Sequence, residues 1–406
     1  ICIIEYIFSY KIKIFPFLLT AIFLFEVTSN TLLSVKEINF PKKTSTYNET
    51  FNEIKKSFDY IEKEDPIINN FYRADTKTWT NINNPGTYNY NGLMVFDSLR
   101  NGSVMNFLKY YANYTVVDNC STRFNDLNPV FTSILGFKYI VSQNIENHYD
   151  KINDELKYKV YKNQEYLSLG FMVNSEFKNI ILSKKSPYEN SNEIINNSLN
   201  KQINAIKKIY YTSIERYTED EKYIYYDPKV GGSVIFEGIA DKDCFIFANP
   251  NTNDSTINTL YINDKMVTYY DRNIPYLIEK GQKYTMKFIT NSNKTNKNKL
   301  FIYLMDSNAY KSWIEEMKKN ELEIIEYKKD NYIKGKINVT EDKKTLFTSI
   351  PYDDGWKVFV DGKKVKYNKL ITAFIGIDLT EGEHIIEFKY IPKGLITGLI
   401  ISFMSL

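Results

Sequence analysis

The chain has 406 residues, with 52 Lys and Arg against 49 Asp and Glu and a formal net charge of +3, a length that suggests two or three domains with proper cores. Its charges are interspersed, so no nucleic-acid footprint is present. Only two histidines and three cysteines occur, which removes nearly every zinc site, every His-based triad and any disulfide framework.

In chain order, the first feature is an apolar run from Ile14 to Leu33. About 20 helical residues cross a bilayer core of about 30 Å, so a membrane-spanning helix is expected within residues 1–34. Lys11 and Lys13 precede it, and positive charge there favours a cytoplasmic start, which places residues 35–392 outside the cell. A cleaved signal peptide is the competing reading, since Phe15 to Phe25 resembles an apolar h-region behind lysines. Glu26-Val27-Thr28-Ser29-Asn30 offers no small-x-small cleavage site, and the spanning reading is preferred. The chain opens on Ile1 and stops inside an apolar run that begins at Gly394. It is therefore read as part of a larger membrane protein, with residues 394–406 as the start of a second span.

Thr44 to Glu64 carries Phe51, Ile54, Phe58 and Ile61 at helical spacing between charges, the pattern of an amphipathic helix closed by Pro66. Phe71-Tyr72-Arg73 reads as a strand and Asn81 to Gly86 as a turn-rich loop. In Asn128-Pro129 to Val141, Asn128 can cap, Pro129 suits the first helical position and Gly136 supplies a left-handed stop. A short helix then feeds directly into a buried strand. Residues 35–205 are expected to form an α/β domain.

From about Lys222 the periodicity changes to two. Leu260 to Val267 and Val358 to Val365 each place a strand, a two-residue turn and a strand in succession, with Asn263-Asp264 and Asp361-Gly362 as the turns. Two tandem antiparallel β-sandwiches are expected, over 206–328 and 329–393, so the fold class is α+β flanked by transmembrane helices. In the second sandwich Ile337, Val339, Leu346, Thr348, Ile350, Trp356, Val358, Val360, Ile386, Phe388 and Tyr390 alternate with polar neighbours and mark the inward face.

Several runs carry a family resemblance. They are Pro351 to Val365 with Gly355-Trp356, Ala373 to Gly376, Glu381 to His384, Tyr390 to Gly394, Leu135 to Ser142, Val160 to Asn163 with Gly170-Phe171, and Asn81 to Ser98 with its Tyr-Asn-Tyr-Asn-Gly core. Together they resemble the C-terminal part of the YfhO family of bacterial membrane proteins. The resemblance implies a large extracytoplasmic portion of a multi-span protein similar to GT-C glycosyltransferases. It implies sugars drawn from a polyprenyl phosphate carrier and placed on a cell-surface polymer such as lipoteichoic acid, with the catalytic acid upstream of Ile1. A non-enzymatic glycan-binding or scaffolding module is the alternative.

No phosphate-binding loop or dinucleotide fingerprint occurs, and neither a cofactor nor a metal is expected. Asp353, Asp354 and Asp361-Gly362 are assigned to turns, and His384 to a structural place in a strand. The candidate ligand-binding residues are Arg73, Asn83, Asn84, Tyr88, Tyr90 and Asp97, clustered around a Pro-Gly loop. They offer a charged fork, amide donors and stacking faces suited to sugar or phosphate. The competing reading is an irregular loop that folds back on its own polar side chains.

Overall fold

The computed structural model describes residues 15–405 except 38–43, 67–70, 79, 81–82, 99, 113–114, 118–119, 124–127, 144–147, 185–186, 216, 220–222, 227–231, 248–256, 268–274, 291–293, 297–300 and 329–330. Cys2, Lys11 and Lys13, Asn81 at the start of the turn-rich loop and Lys299 of a basic stretch lie outside the described residues. The chain divides into two compact units, Ile1–Asn52 and Glu53–Leu406.

The transmembrane helices expected at both ends are not supported. Among the described residues, no helix is long and apolar enough to cross a membrane. The first run does form a helix, Phe15–Glu37. Its strongly apolar part stops at Phe25, and Glu26, Thr28, Ser29, Asn30 and Thr31 follow within two turns. A carboxylate and an amide at that depth are costly in hydrocarbon. The last helix, Leu395–Met404, has 10 residues, which at 1.5 Å per residue is about half a bilayer core.

The amphipathic helix Thr44–Glu64 forms over the residues its periodicity marks, and within the second unit it buries Ile54, Phe58 and Ile61. The second unit is otherwise built mainly of β-sheets. One sheet runs in the order Arg73–Thr76, Phe137–Ser142, Lys159–Lys162, Asp150–Asn153, its first pair parallel and the others antiparallel. The entry to its second strand follows the local chemistry. Asn128 accepts from the Val130 N–H, Pro129 opens the helix Pro129–Ile134, and Gly136 turns the chain at φ 71°.

Four larger sheets form two facing pairs. In the first pair, Val234, Phe236, Leu260, Met286 and Phe288 of one sheet pack against Cys244, Ile246, Ile278 and Ile302 of the other. In the second, Ile337, Val358, Ile386 and Phe388 face Leu346, Ile350, Ile375 and Ile377. One strand of that pair comes from far upstream, because Gly170–Val173 pairs with Thr345–Thr348. Both hairpin turns adopt the left-handed geometry their residues allow, with φ of 45° and 62° at Asn263 and Asp264 and of 50° and 77° at Asp361 and Gly362.

A third core lies beyond the inner sheet of each pair. Phe245, Phe247 and Tyr303 from one sheet and Phe171, Phe347 and Phe374 from the other join Tyr188, Trp313 and Phe131 in it. Trp313 is fully buried on the helix Ser307–Lys318, and its indole N–H donates to Ser198 Oγ at 2.8 Å. Trp356, read as an inward residue, is only half-buried. Its ring lies 4.9 Å from Tyr390 at the margin of the second core.

Candidate functional site

Helix residues Lys55, Phe58, Asp59, Ile61 and Glu62 form one wall of an open cleft of about 180 Å³, and Tyr72, Ala74, Thr87, Tyr88, Asn89 and Tyr90 form the other. The second wall is folded by its own polar side chains. Buried Asn84 donates to the Thr78 carbonyl at 3.1 Å and accepts from the Thr80 hydroxyl at 2.8 Å. Pro85 lies in the first turn of the short helix Asn84–Tyr88, which Asn89 ends in the left-handed region. Phe58 binds this wall to the amphipathic helix, with Tyr90 stacked on it at 4.1 Å and Tyr88 at 5.6 Å. The next turn of the helix is held to the sheet by Asp65, which accepts from Lys138 Nζ and Tyr139 Oη.

Beneath the second wall lies Asp75, whose side chain is fully buried. Tyr90 Oη donates to one carboxyl oxygen at 3.0 Å, as does the Thr76 N–H. The Leu93 and Met94 N–H groups donate to the other at 3.1 and 3.2 Å. Burial pushes the carboxyl up to about 7 against these four donors. Gly92 makes the arrangement possible, because a Cβ there would stand 2.4 Å from Tyr90 Cε2 and 2.9 Å from the Ala74 carbonyl.

The six candidate residues therefore separate. Tyr88 and Tyr90 line the cleft, and Asn84 supports it from below. Asn83 accepts from the Phe96 N–H at 2.8 Å, and Asp97 is exposed, its N–H donating to the Cys120 carbonyl at 3.0 Å. Arg73 points away into the protein. It donates to the Leu135 carbonyl, to Ser349 Oγ at 2.8 Å and to the Ser349 carbonyl at 3.1 Å. Burial pulls its guanidinium down to about 10.

Asp75 and the charged rim of Lys55, Asp59 and Glu62 are absent from the sequence reading, which placed Phe58 only on the apolar face of its helix. The rim could have been found by projecting the polar side of the helix, whereas Asp75 carries the uninformative local sequence Arg-Ala-Asp-Thr. On the rim Lys55 and Asp59 pair at 2.6 Å. Phe58, Tyr88 and Tyr90 line the cleft although each is largely buried. The cleft can thus offer hydrogen bonds and aromatic contacts to a polyhydroxylated ligand. Among the described residues no group of three or more His, Cys, Asp or Glu could hold a metal ion.

Comparison with known proteins adds three findings. A family model described as bacterial membrane protein YfhO matches residues 1–402. The "Uncharacterized protein YfhO" of Bacillus subtilis (strain 168) is 38% identical over 61 residues, which are 15% of this chain and 7% of that protein. Two crystal structures of a GH2 beta-galacturonidase from Eisenbergiella tayi, one bound to galacturonate and one to glycerol, align at 11% identity. They cover 47% and 46% of this chain and 36% and 35% of theirs, each with a TM-score of 0.14, too low for any argument from their fold.

Proposed function

Since the chain belongs to the YfhO family of bacterial membrane proteins, we propose that it is an extracytoplasmic, glycan-binding portion of a membrane glycosyltransferase. In this reading the parent protein takes a sugar from a polyprenyl phosphate carrier and places it on a cell-surface polymer such as lipoteichoic acid. This chain holds the polymer or the carried sugar, and the catalytic acid is supplied elsewhere in the parent protein. The observation that carries the reading is the cleft between Lys55 to Glu62 and Thr87 to Tyr90, with both candidate tyrosines on one wall. Hydroxyl-rich ligands suit a site with a few convergent polar groups and aromatic side chains.

Non-enzymatic surface binding is the second reading.

Binding of the full chain to a glycan array and to lipoteichoic acid tests both. Lys55→Ala and Tyr90→Ala are expected to weaken binding by about tenfold or more, the loss of one or two hydrogen bonds to a charged or polar group. Wild-type affinity in both variants, or no binding by the wild type, removes the cleft as the site.

A further inference from the structure

The charged side chains that line the cleft stand on one of its walls. Lys55, Asp59 and Glu62 follow one another at helical spacing, whereas the six residues of the facing wall are Tyr, Ala, Thr and Asn. The lining therefore holds two carboxylates and one ammonium, with no second cation among the described lining residues. That ammonium is engaged, since Lys55 Nζ donates to both carboxyl oxygens of Asp59 at 2.6 and 2.7 Å. Lys138, whose ammonium lies 5.4 Å from the centre of the Tyr72 ring, is paired with Asp65. Glu62 stands in the last turn of the helix Thr44–Glu64, where the backbone carbonyls add a partial negative charge. The Tyr72 phenol registers this field: burial first, then Asp65 and Glu62, push it up.

We propose that this cleft binds one sugar ring that is uncharged or bears an ammonium group, and turns away anionic ligands such as the phosphate backbone of a polymer. This rests on the reading of the cleft as a glycan site and decides between the two ligands that reading offers: the sugar is held, and the polymer backbone is not. Size and charge carry it together. A volume of about 180 Å³ is below the roughly 300–1,000 Å³ of sites that enclose a drug-sized molecule, so a single ring fits and a length of polymer does not. A phosphate entering the cleft meets Glu62 and has to take Lys55 from Asp59, exchanging one ion pair for another and leaving a carboxylate unpaired beside it. A hydroxyl needs no such exchange, because it donates to a carboxylate and accepts from an amide or a phenol. An ammonium finds two carboxylates within the same small volume.

Three probes built on one ring separate the charges: glucosamine, glucose and glucuronate, each titrated into the full chain at about pH 6, where an ammonium and a carboxylate are both charged, and followed by ligand-observed NMR. Affinity is expected to fall in that order, by about tenfold or more from first to last at low salt, and the spread to shrink in about 0.5 M salt. Glu62→Gln should narrow the spread and Glu62→Lys reverse it. Glu62 is exposed on its helix, so both variants keep the fold. Tyr90→Ala should weaken all three probes alike. Glucuronate bound as tightly as glucose, or an order that both Glu62 variants leave unchanged, overturns the charge selection while the cleft stands as a site. Failure of all three probes to bind, or binding that Tyr90→Ala leaves intact, removes the cleft itself and the selection with it.

Discussion

Arg73 and Asp75 stand two residues apart on one strand and serve unrelated ends. The guanidinium reaches into the protein and joins its own mixed sheet to the strand Thr345–Pro351 through Ser349. Arg73→Ala leaves those acceptors unpaired and is expected to cost about 2–4 kcal/mol in urea unfolding. Its effect on glycan binding should then follow stability, with little change at temperatures where the variant is folded. His148 provides a second test at this scale. Both its ring nitrogens are buried and lack hydrogen-bond partners, and burial, then Lys77, pull its pKa down to about 3. In the unfolded chain the imidazole takes a proton near pH 6.5, so its contribution to stability is lost as pH falls from about 6.5 toward 3. His148→Phe should move the acid-unfolding midpoint, followed by tryptophan fluorescence, to lower pH. The indoles of Trp313 and Trp356 also differ. Trp313→Ala is expected to cost about 3–5 kcal/mol, and half-buried Trp356→Ala about 1–2 kcal/mol, which denaturant unfolding of the two variants separates.

At the scale of elements, local chemistry decides most of what forms. The segment from Asn128 to Gly136 is a helix start and stop written in three residues, and each performs its expected role. Gly136 also faces the Leu167 carbonyl, which would lie 3.2 Å from an added Cβ. Gly136→Ala is expected to lower stability by about 1–2 kcal/mol through the left-handed φ alone, read as a lower thermal midpoint. The Asp361-Gly362 hairpin shows the same economy, and Asp361 adds a second role. Its carboxylate accepts from the Ile385 N–H at 2.9 Å and pairs with His384 Nδ1 at 2.7 Å, which gives His384 the structural place its strand position suggested.

At the scale of the whole molecule, no sheet pair stands alone. The inner sheet of each pair is buried on both faces, one face against its partner sheet and the other in the aromatic core around Trp313. The last pair also borrows Gly170–Val173, where a Cβ on Gly170 would stand 2.9 Å from the Phe347 carbonyl. Residues 329–393 expressed alone would expose that apolar face and an unpaired strand edge. They are expected to show no cooperative thermal transition, whereas residues 53–393 should; a sharp transition in the shorter piece would contradict the interdependence described here.

The sequence by itself determined the elements whose cause is local: the amphipathic helix Thr44–Glu64, the capped helix before Phe137, the two left-handed hairpin turns and the alternating face of the last sheet pair. These follow from periodicity of 3.6 or 2 and from residues that tolerate positive φ, properties read within a few neighbours. The apolar run near the start was misleading, because spanning requires sustained length without polar interruption, and Glu26 to Thr31 break it. Tertiary structure alone decided where side chains point. Arg73 and Tyr90 look equally available in the sequence, yet one is drawn 276 positions along the chain to Ser349 while the other is laid against Phe58 and Asp75. Which of them meets a ligand depends on long-range packing that no local pattern encodes.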